Sequence, residues 1–144
     1  MPCVFEEKKV IPYRTSILYE IVADVASYPS FLPGCLEAHI LEQNQDFIRA
    51  KLVIGYGLFK EAYVSKVFLT PFSRIEVMYE SGPFQYLENF WNFKRLSEDE
   101  TEVHFFIDFA FRSRFLQKMI EGFFQQGATS LMKAFEERAA FLSS

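Results

Sequence analysis

The sequence predicts an α+β fold, a curved antiparallel sheet of about seven strands around a long C-terminal helix, with a short pair of helical segments after the first strand. Three observations carry this. From Leu36 to Ser113 the chain alternates apolar and polar residues in six segments separated by short turn signals. No helical period interrupts those segments, which excludes a parallel α/β sheet, because parallel strands need long crossovers, usually helical. Finally, residues 115–142, FLQKMIEGFFQQGATSLMKAFEERAAFL, keep a 3.6-residue apolar beat.

Each element has a local reason. Residues 4–12 read as a strand, with Pro12 suited to its end. Thr15 or Ser16 can N-cap TSILYEIVADV, where Ile17, Leu18, Ile21, Val22 and Val25 recur at helical spacing. This helix should stop near Ser27, because the residue before Pro29 is pushed out of the α region. The strands follow as LEAHILEQ, DFIRAKLVIGYG, FKEAYVSKVFLTP, SRIEVMYESG, QYLENFWNFKRLS and TEVHFFIDFAFRS, broken at NQ, GYG, TPFS, SGP and SEDE. One long helix then carries Leu116, Ile120, Phe123, Phe124, Leu131, Phe135 and Leu142 on its sheet-facing side.

A chain of 144 residues fits one domain spanning 1–144, and 18 phenylalanines with 7 tyrosines must either fill a large core or line a pocket. The formal net charge of −4 gives no long-range attraction to nucleic acid, so DNA is not an expected partner. MPCVFEEKKV has charges where a secretory signal would be apolar, and no stretch approaches the ~20 apolar residues of a membrane span. Cys3 and Cys35 have neither CxxC spacing nor a His at zinc-ligand spacing, so no disulfide and no metal is expected. The default compartment is the reducing cytoplasm.

The middle of the last helix is unusual. Gly122, Gly127, Ala128, Thr129 and Ser130 are small where a helix laid flat on a sheet needs bulk. Either the helix approaches the sheet closely there, or the small residues leave room for a ligand. In the strands, the phase that turns Phe59, Tyr63, Val67 and Leu69 inward also turns in Glu61 and Ser65, and Asn89 shares a face with Leu87, Trp91 and Phe93. Polar groups in an apolar interior need partners, which ordered water, a solvated sheet edge or a ligand head group can supply.

Nothing in the sequence singles out a catalytic group. His39 and His104 both lie in alternating strands with polar neighbours on their own phase, and a solvated face suits each. No GxSxG, no paired His ligands and no phosphate-cradling loop occur; the GYG at 55–57 reads as a turn. Glu6 and Glu7 point to opposite faces of a strand. Phe115 and Met119, beside Arg114 and Lys118, can form a membrane-docking face, but an intramolecular core contact is the preferred reading.

The order of elements resembles the helix-grip fold of the START and polyketide cyclase superfamily. Within it VADVASYPSFLPGC, EAYVSKVFLTP, GPFQYLENFWNF, FAFRSRF and FEERAAFL resemble the coenzyme Q-binding proteins and the ribosome-association toxins, over essentially the whole chain. Gly34 departs from the family, which commonly carries tryptophan there. The resemblance implies a cavity between sheet and last helix, with Tyr28, Phe31 and Leu32 as a lid; the same side chains can equally be a plug that closes the barrel end. It implies binding without catalysis of a prenylquinone such as ubiquinone, in support of respiratory electron transport. The residues expected to line the site are Tyr63, Trp91, Phe93 and Phe109 from the sheet, and Ile120, Phe123, Phe124, Gly127, Leu131 and Phe135 from the helix. Tyr63 or Trp91 would stack on the quinone ring. Two alternatives follow from the same resemblance: a toxin-like protein that binds a ribosomal subunit and blocks subunit association, using Arg112, Arg114 and Lys118 with Lys94 and Arg95, and a polyketide cyclase or dehydratase with Glu61 and Tyr63 as its polar groups. A bacterial protein of the cytoplasm, with possible peripheral contact to the inner membrane, fits the first.

Overall fold

The computed structural model describes residues 2–143, Tyr56 by its backbone. Strand β1 (Cys3–Ile11) leads to helix α1 (Thr15–Ala23), a 3-10 turn (Val25–Ser30), and then β2 (Cys35–Gln43), β3 (Phe47–Tyr56), β4 (Phe59–Thr70), β5 (Arg74–Ser81), β6 (Phe84–Ser97) and β7 (Glu100–Phe111). Two helices close the chain, α2 (Arg114–Glu121) and α3 (Phe124–Ser143). All seven strands form one antiparallel sheet in the order β1-β7-β6-β5-β4-β3-β2. The predicted meander, joined by the N-terminal strand through β7, is the observed sheet.

Tight turns hold the meander in register. Asn44 Oδ1 accepts from the backbone N–H of Asp46 at 2.8 Å and of Phe47 at 3.0 Å, closing the β2–β3 turn. The GYG turn is shorter than expected: Gly55 and Tyr56 remain in β3, and Gly57 with Leu58 makes the reversal. Gly82 turns β5 into β6 at φ +144°, and a Cβ there would lie 2.5 Å from Cβ of Tyr63, so only glycine lets this hairpin fold against β4.

The helices correct the sequence reading in three places. Neither Thr15 nor Ser16 caps α1: the N-cap is Arg14, with no side-chain cap. Thr15 instead turns inward, its hydroxyl 2.9 Å from that of Thr101, which in turn donates to the Tyr13 carbonyl at 2.8 Å. A buried hydrogen bond has taken the hydroxyl from the cap. Helix α1 also stops at Ala23 and the chain continues as a 3-10 turn that includes Pro29. Last, the single long helix is two helices. Ser113 caps α2 by accepting from the Leu116 N–H at 3.2 Å, and Gly122, a poor helix former, is its C-cap.

Helix α3 packs on α1 and β1 through Ala128, Met132, Phe135 and Ala139, a stripe centred one residue beyond the predicted one. Leu142, expected on that stripe, is exposed. Two apolar clusters result. One joins α1, α3 and the far half of the sheet through Leu18, Ile21, Val22, Trp91, Phe93, Phe105 and Phe135. The other gathers Cys3, Phe59, Phe84, Phe109 and Phe111 at the end of the sheet near α2.

Candidate ligand site

Between the two clusters the sheet changes character. Along each central strand the inward side chains run from buried to half-buried: Ile48 and Ala50 to Leu52 and Ile54 on β3; Val67 and Ser65 to Tyr63 and Glu61 on β4; Ile75 to Val77 and Tyr79 on β5; Trp91 to Asn89 and Leu87 on β6; Phe105 to Ile107 on β7. Beyond this belt the chain is buried again at Phe59, Phe84 and Phe109. These residues pack against the edges of the two clusters and are still partly reached by water, so the belt is a strip of the concave face that α2 and α3 cover only in part.

Polar chemistry enters the belt at Tyr63, Tyr28 and Cys35. Burial pushes the Tyr63 phenol and the Cys35 thiol above their ordinary ranges, and the Tyr28 phenol likewise, with the neighbouring Tyr63 and Cys35 adding to the effect on Tyr28. All three are neutral near pH 7. The Tyr28 hydroxyl donates to the Val22 carbonyl, tying the 3-10 turn to α1. Tyr79 is satisfied too: its hydroxyl donates to the Phe84 carbonyl at 3.1 Å and accepts from the Phe84 N–H at 3.0 Å. Asn89 donates to the Phe106 carbonyl at 2.9 Å. Among the described residues, nothing hydrogen-bonds the Tyr63 hydroxyl. The Tyr63 side chain is half-buried and its hydroxyl stays within reach of solvent, so it is open to water or to a polar atom of a ligand.

The segment after α1 covers one side of this region. Rings of Tyr28, Phe31 and Phe135 form an edge-to-face triangle with centroids 5.5–6.1 Å apart, and the Arg138 guanidinium lies 5.0 Å from the Phe31 ring centre. Leu32 is buried in the first cluster. The apolar surface of SYPSFLPG is thus covered by α3. Gly34 has φ +85°, and its carbonyl accepts from the Gly55 N–H at 2.9 Å. A tryptophan, common in the family here, would be strained in that backbone conformation.

The expected lining residues fall into three places. Trp91, Phe93 and Phe135 sit in the filled first cluster, where Trp91 lies 4.5 Å from Phe105 and 4.8 Å from Phe135 and the residual void is about 10 Å³. Phe109 belongs to the second cluster, against Phe124 at 5.2 Å, with Ile120 packed beside it. Tyr63, Tyr28, Phe31, Leu131 and Phe123 are half-buried, and Gly127 is exposed with open space over its Cα. Leu52, Ile54, Tyr79, Ile107 and Cys35 belong to the belt and were not singled out from sequence. The alternation of β3, β5 and β7 carries all but Cys35, on the same phase as their buried neighbours; Cys35 opens β2.

The polar groups considered for catalysis do not assemble. His39 contacts Glu37 at 2.9 Å and His104 contacts Glu6 at 2.6 Å, each on a solvated face. Glu61 is half-buried in the belt. Among the described residues no group of His, Cys, Asp and Glu is placed to hold a metal ion.

A family model described as polyketide cyclase/dehydrase and lipid transport matches residues 11–136. The chain belongs to this family. Within it, the ribosome association toxin RatA of Rickettsia prowazekii is 37% identical over 139 residues, 94% of each chain. The mitochondrial coenzyme Q-binding protein COQ10 of Dictyostelium discoideum is 32% identical over 137 residues, 92% of this chain and 67% of that one. The solution structure of the 18 kDa protein CC1736 from Caulobacter crescentus matches with a TM-score of 0.78 at 31% identity over 97% of both chains. The Zhui aromatase/cyclase from Streptomyces sp. R1128 has a TM-score of 0.84 at 18% identity over 97% of this chain and 94% of that one, a likeness of fold alone. The helix-grip architecture and the resemblance to both the toxin and the coenzyme Q-binding branches stand on these matches.

Proposed function

We propose that this protein binds a prenylquinone, ubiquinone or a close relative, in the belt between sheet and α3, without catalysing a reaction on it, and so supports respiratory electron transport. The observation that carries this reading is the Tyr63 hydroxyl, unpaired among the described residues, on the same face as the apolar side chains of Leu52, Ile54, Leu87 and Ile107. A quinone carbonyl accepts a hydrogen bond and brings no charge, which suits a neutral phenol. The isoprenoid tail runs along Leu52, Ile54, Leu87 and Ile107, where each buried CH₂ contributes about 0.8 kcal/mol. The name of the COQ10 relative supports the ligand class. A phenol held above its ordinary range is a poor general base near neutrality, which supports binding over chemistry.

Trp91, the only tryptophan, shares the inward face of β6 with Asn89 and Leu87 of the belt, so its fluorescence reports occupancy. Titration with ubiquinones of increasing tail length should quench it saturably, with affinity rising over the first isoprene units. Quenching that stays linear in quinone and ignores tail length would refute a binding site.

A second reading has its own observation: relatives matched over nearly their full length are named ribosome association toxins. On that reading the protein binds a ribosomal subunit, and co-sedimentation with separated subunits tests it.

A further inference from the structure

One end of the sheet presents apolar side chains to solvent among cations. Leu58, at the tip of the β3–β4 turn, is fully exposed, and Phe115, in the first turn of α2, is 74% exposed. The core contact expected for Phe115 is not made: Leu116, Met119 and Ile120 pack inward while Phe115 points away. The Phe59 and Phe111 rings, 5.7 Å apart, bring the turn and the start of α2 to the same end of the molecule. Arg112, Arg114 and Lys118 are exposed here, and none forms an ion pair with another described residue. They rim an open groove of about 750 Å³ between α2 and the outer face of β6 and β7. The acidic residue on this groove, Glu121, accepts from the Gln117 amide at 2.9 Å and is close enough to Lys118 for the two charges to interact, which leaves Arg112 and Arg114 as the uncompensated cations.

This grouping runs against local electrostatics. Arg112 and Arg114 flank the N-terminus of α2, where the helix dipole disfavours cations, in a chain of net charge −4. An anionic surface would offset both the dipole and the clustered charge. Exposed Leu and Phe side chains surrounded by Lys and Arg are also what an interfacial membrane contact requires. No helix among the described residues is long and apolar enough to cross a membrane, so the contact is one of surface docking.

We propose that this end of the protein docks on an anionic lipid bilayer, with Leu58 and Phe115 entering the interface and Arg112, Arg114 and Lys118 meeting lipid phosphates in and beside the groove. The second apolar cluster, and behind it the belt, then lie next to the bilayer. The docking claim stands independently of the quinone.

The test is flotation of the full chain, without added quinone, on vesicles of phosphatidylglycerol and phosphatidylcholine against pure phosphatidylcholine. The wild type should float with the anionic vesicles and lose that binding in high salt. Leu58→Ser with Phe115→Ser should weaken it roughly tenfold or more for each anchor, and Arg114→Glu with Lys118→Glu should abolish the preference for anionic lipid. Met78→Ser, at an exposed methionine on the outer face of β5, should change nothing. Because all these side chains are exposed, circular dichroism should show each variant folded. Wild-type protein that ignores anionic vesicles overturns the proposal. So does undiminished flotation of the folded double-serine variant. Loss of ribosomal-subunit binding in these variants, with no vesicle binding in the wild type, would assign the face to a different partner and overturn it equally.

Discussion

Replacing Tyr63 by phenylalanine separates the ligand-facing role of the belt from its structural role. The ring stays, so its edge-to-face contact with Phe84 at 5.3 Å is kept. The hydroxyl has no hydrogen-bond partner among the described residues, so its loss leaves no donor or acceptor orphaned. Folding stability should therefore change by less than about 0.5 kcal/mol, or rise slightly. A bound quinone would lose one neutral hydrogen bond, about 0.5–1.5 kcal/mol, which is roughly two- to twelvefold in affinity. Tyr79→Phe is the contrasting control. It strips the partner from both the N–H and the carbonyl of Phe84 and should cost about 1–3 kcal/mol in stability. Urea unfolding and Trp91 quenching, measured on both variants, read the two quantities. A Tyr63→Phe protein that binds quinone with wild-type affinity would refute the placement of the head group. A loss of more than 1 kcal/mol in its stability would show that the hydroxyl serves the fold.

Three further outcomes are expected. Gly127→Leu meets no atom within 4 Å of its Cβ position and removes a helix-interior glycine, so the protein should be more stable by up to about 1 kcal/mol in urea unfolding, with quinone affinity unchanged because Gly127 is exposed outside the belt. Arg138→Ala removes the guanidinium over Phe31 and should loosen the 3-10 segment by about 0.5–1 kcal/mol, seen as faster quinone release in stopped-flow quenching with little change in the unfolding midpoint. Tyr28 and Tyr63 hold their protons above the ordinary tyrosine value of 10.0, so the stability they contribute is complete below pH 10 and falls as pH rises beyond it. Cys3 and Cys35, held above the ordinary thiol value of 9.0, start the decline earlier, so urea midpoints should begin to fall near pH 9 and fall further above 10, less steeply there in Tyr63→Phe.

Most of the fold was legible because strand alternation and short turns are strong local signals, and the six segments between Leu36 and Ser113 became β2 to β7 with shifts of a residue or two. The helix ends were harder to read. Gly122 lies inside an unbroken 3.6-residue beat, and only the geometry shows that Phe124 begins a new helix. Thr15 has the right chemistry for a cap, but Thr101, 86 positions away in sequence, takes its hydroxyl. The inward phase of Tyr63, Glu61 and Asn89 was legible, and all three are half-buried on the concave face. What periodicity does not reveal is how far along a strand the covering helix reaches. Trp91 and Tyr63 share the inward phase of their strands, yet Trp91 is packed under α3 and Tyr63 is not. Of the pair Phe115 and Met119, for which a core contact was preferred, Met119 packs inward and Phe115, one residue off the Leu116 and Ile120 stripe, does not.

The central claim, a prenylquinone held in the belt, is tested most directly by organic extraction and mass spectrometry of protein purified from a quinone-producing host, against a mock purification. The account predicts one prenylquinone per chain, with less retained by the Tyr63→Phe protein. An extract that matches the mock, from a protein that also fails to take up added quinone, would contradict it and leave the ribosomal subunit as the partner to pursue.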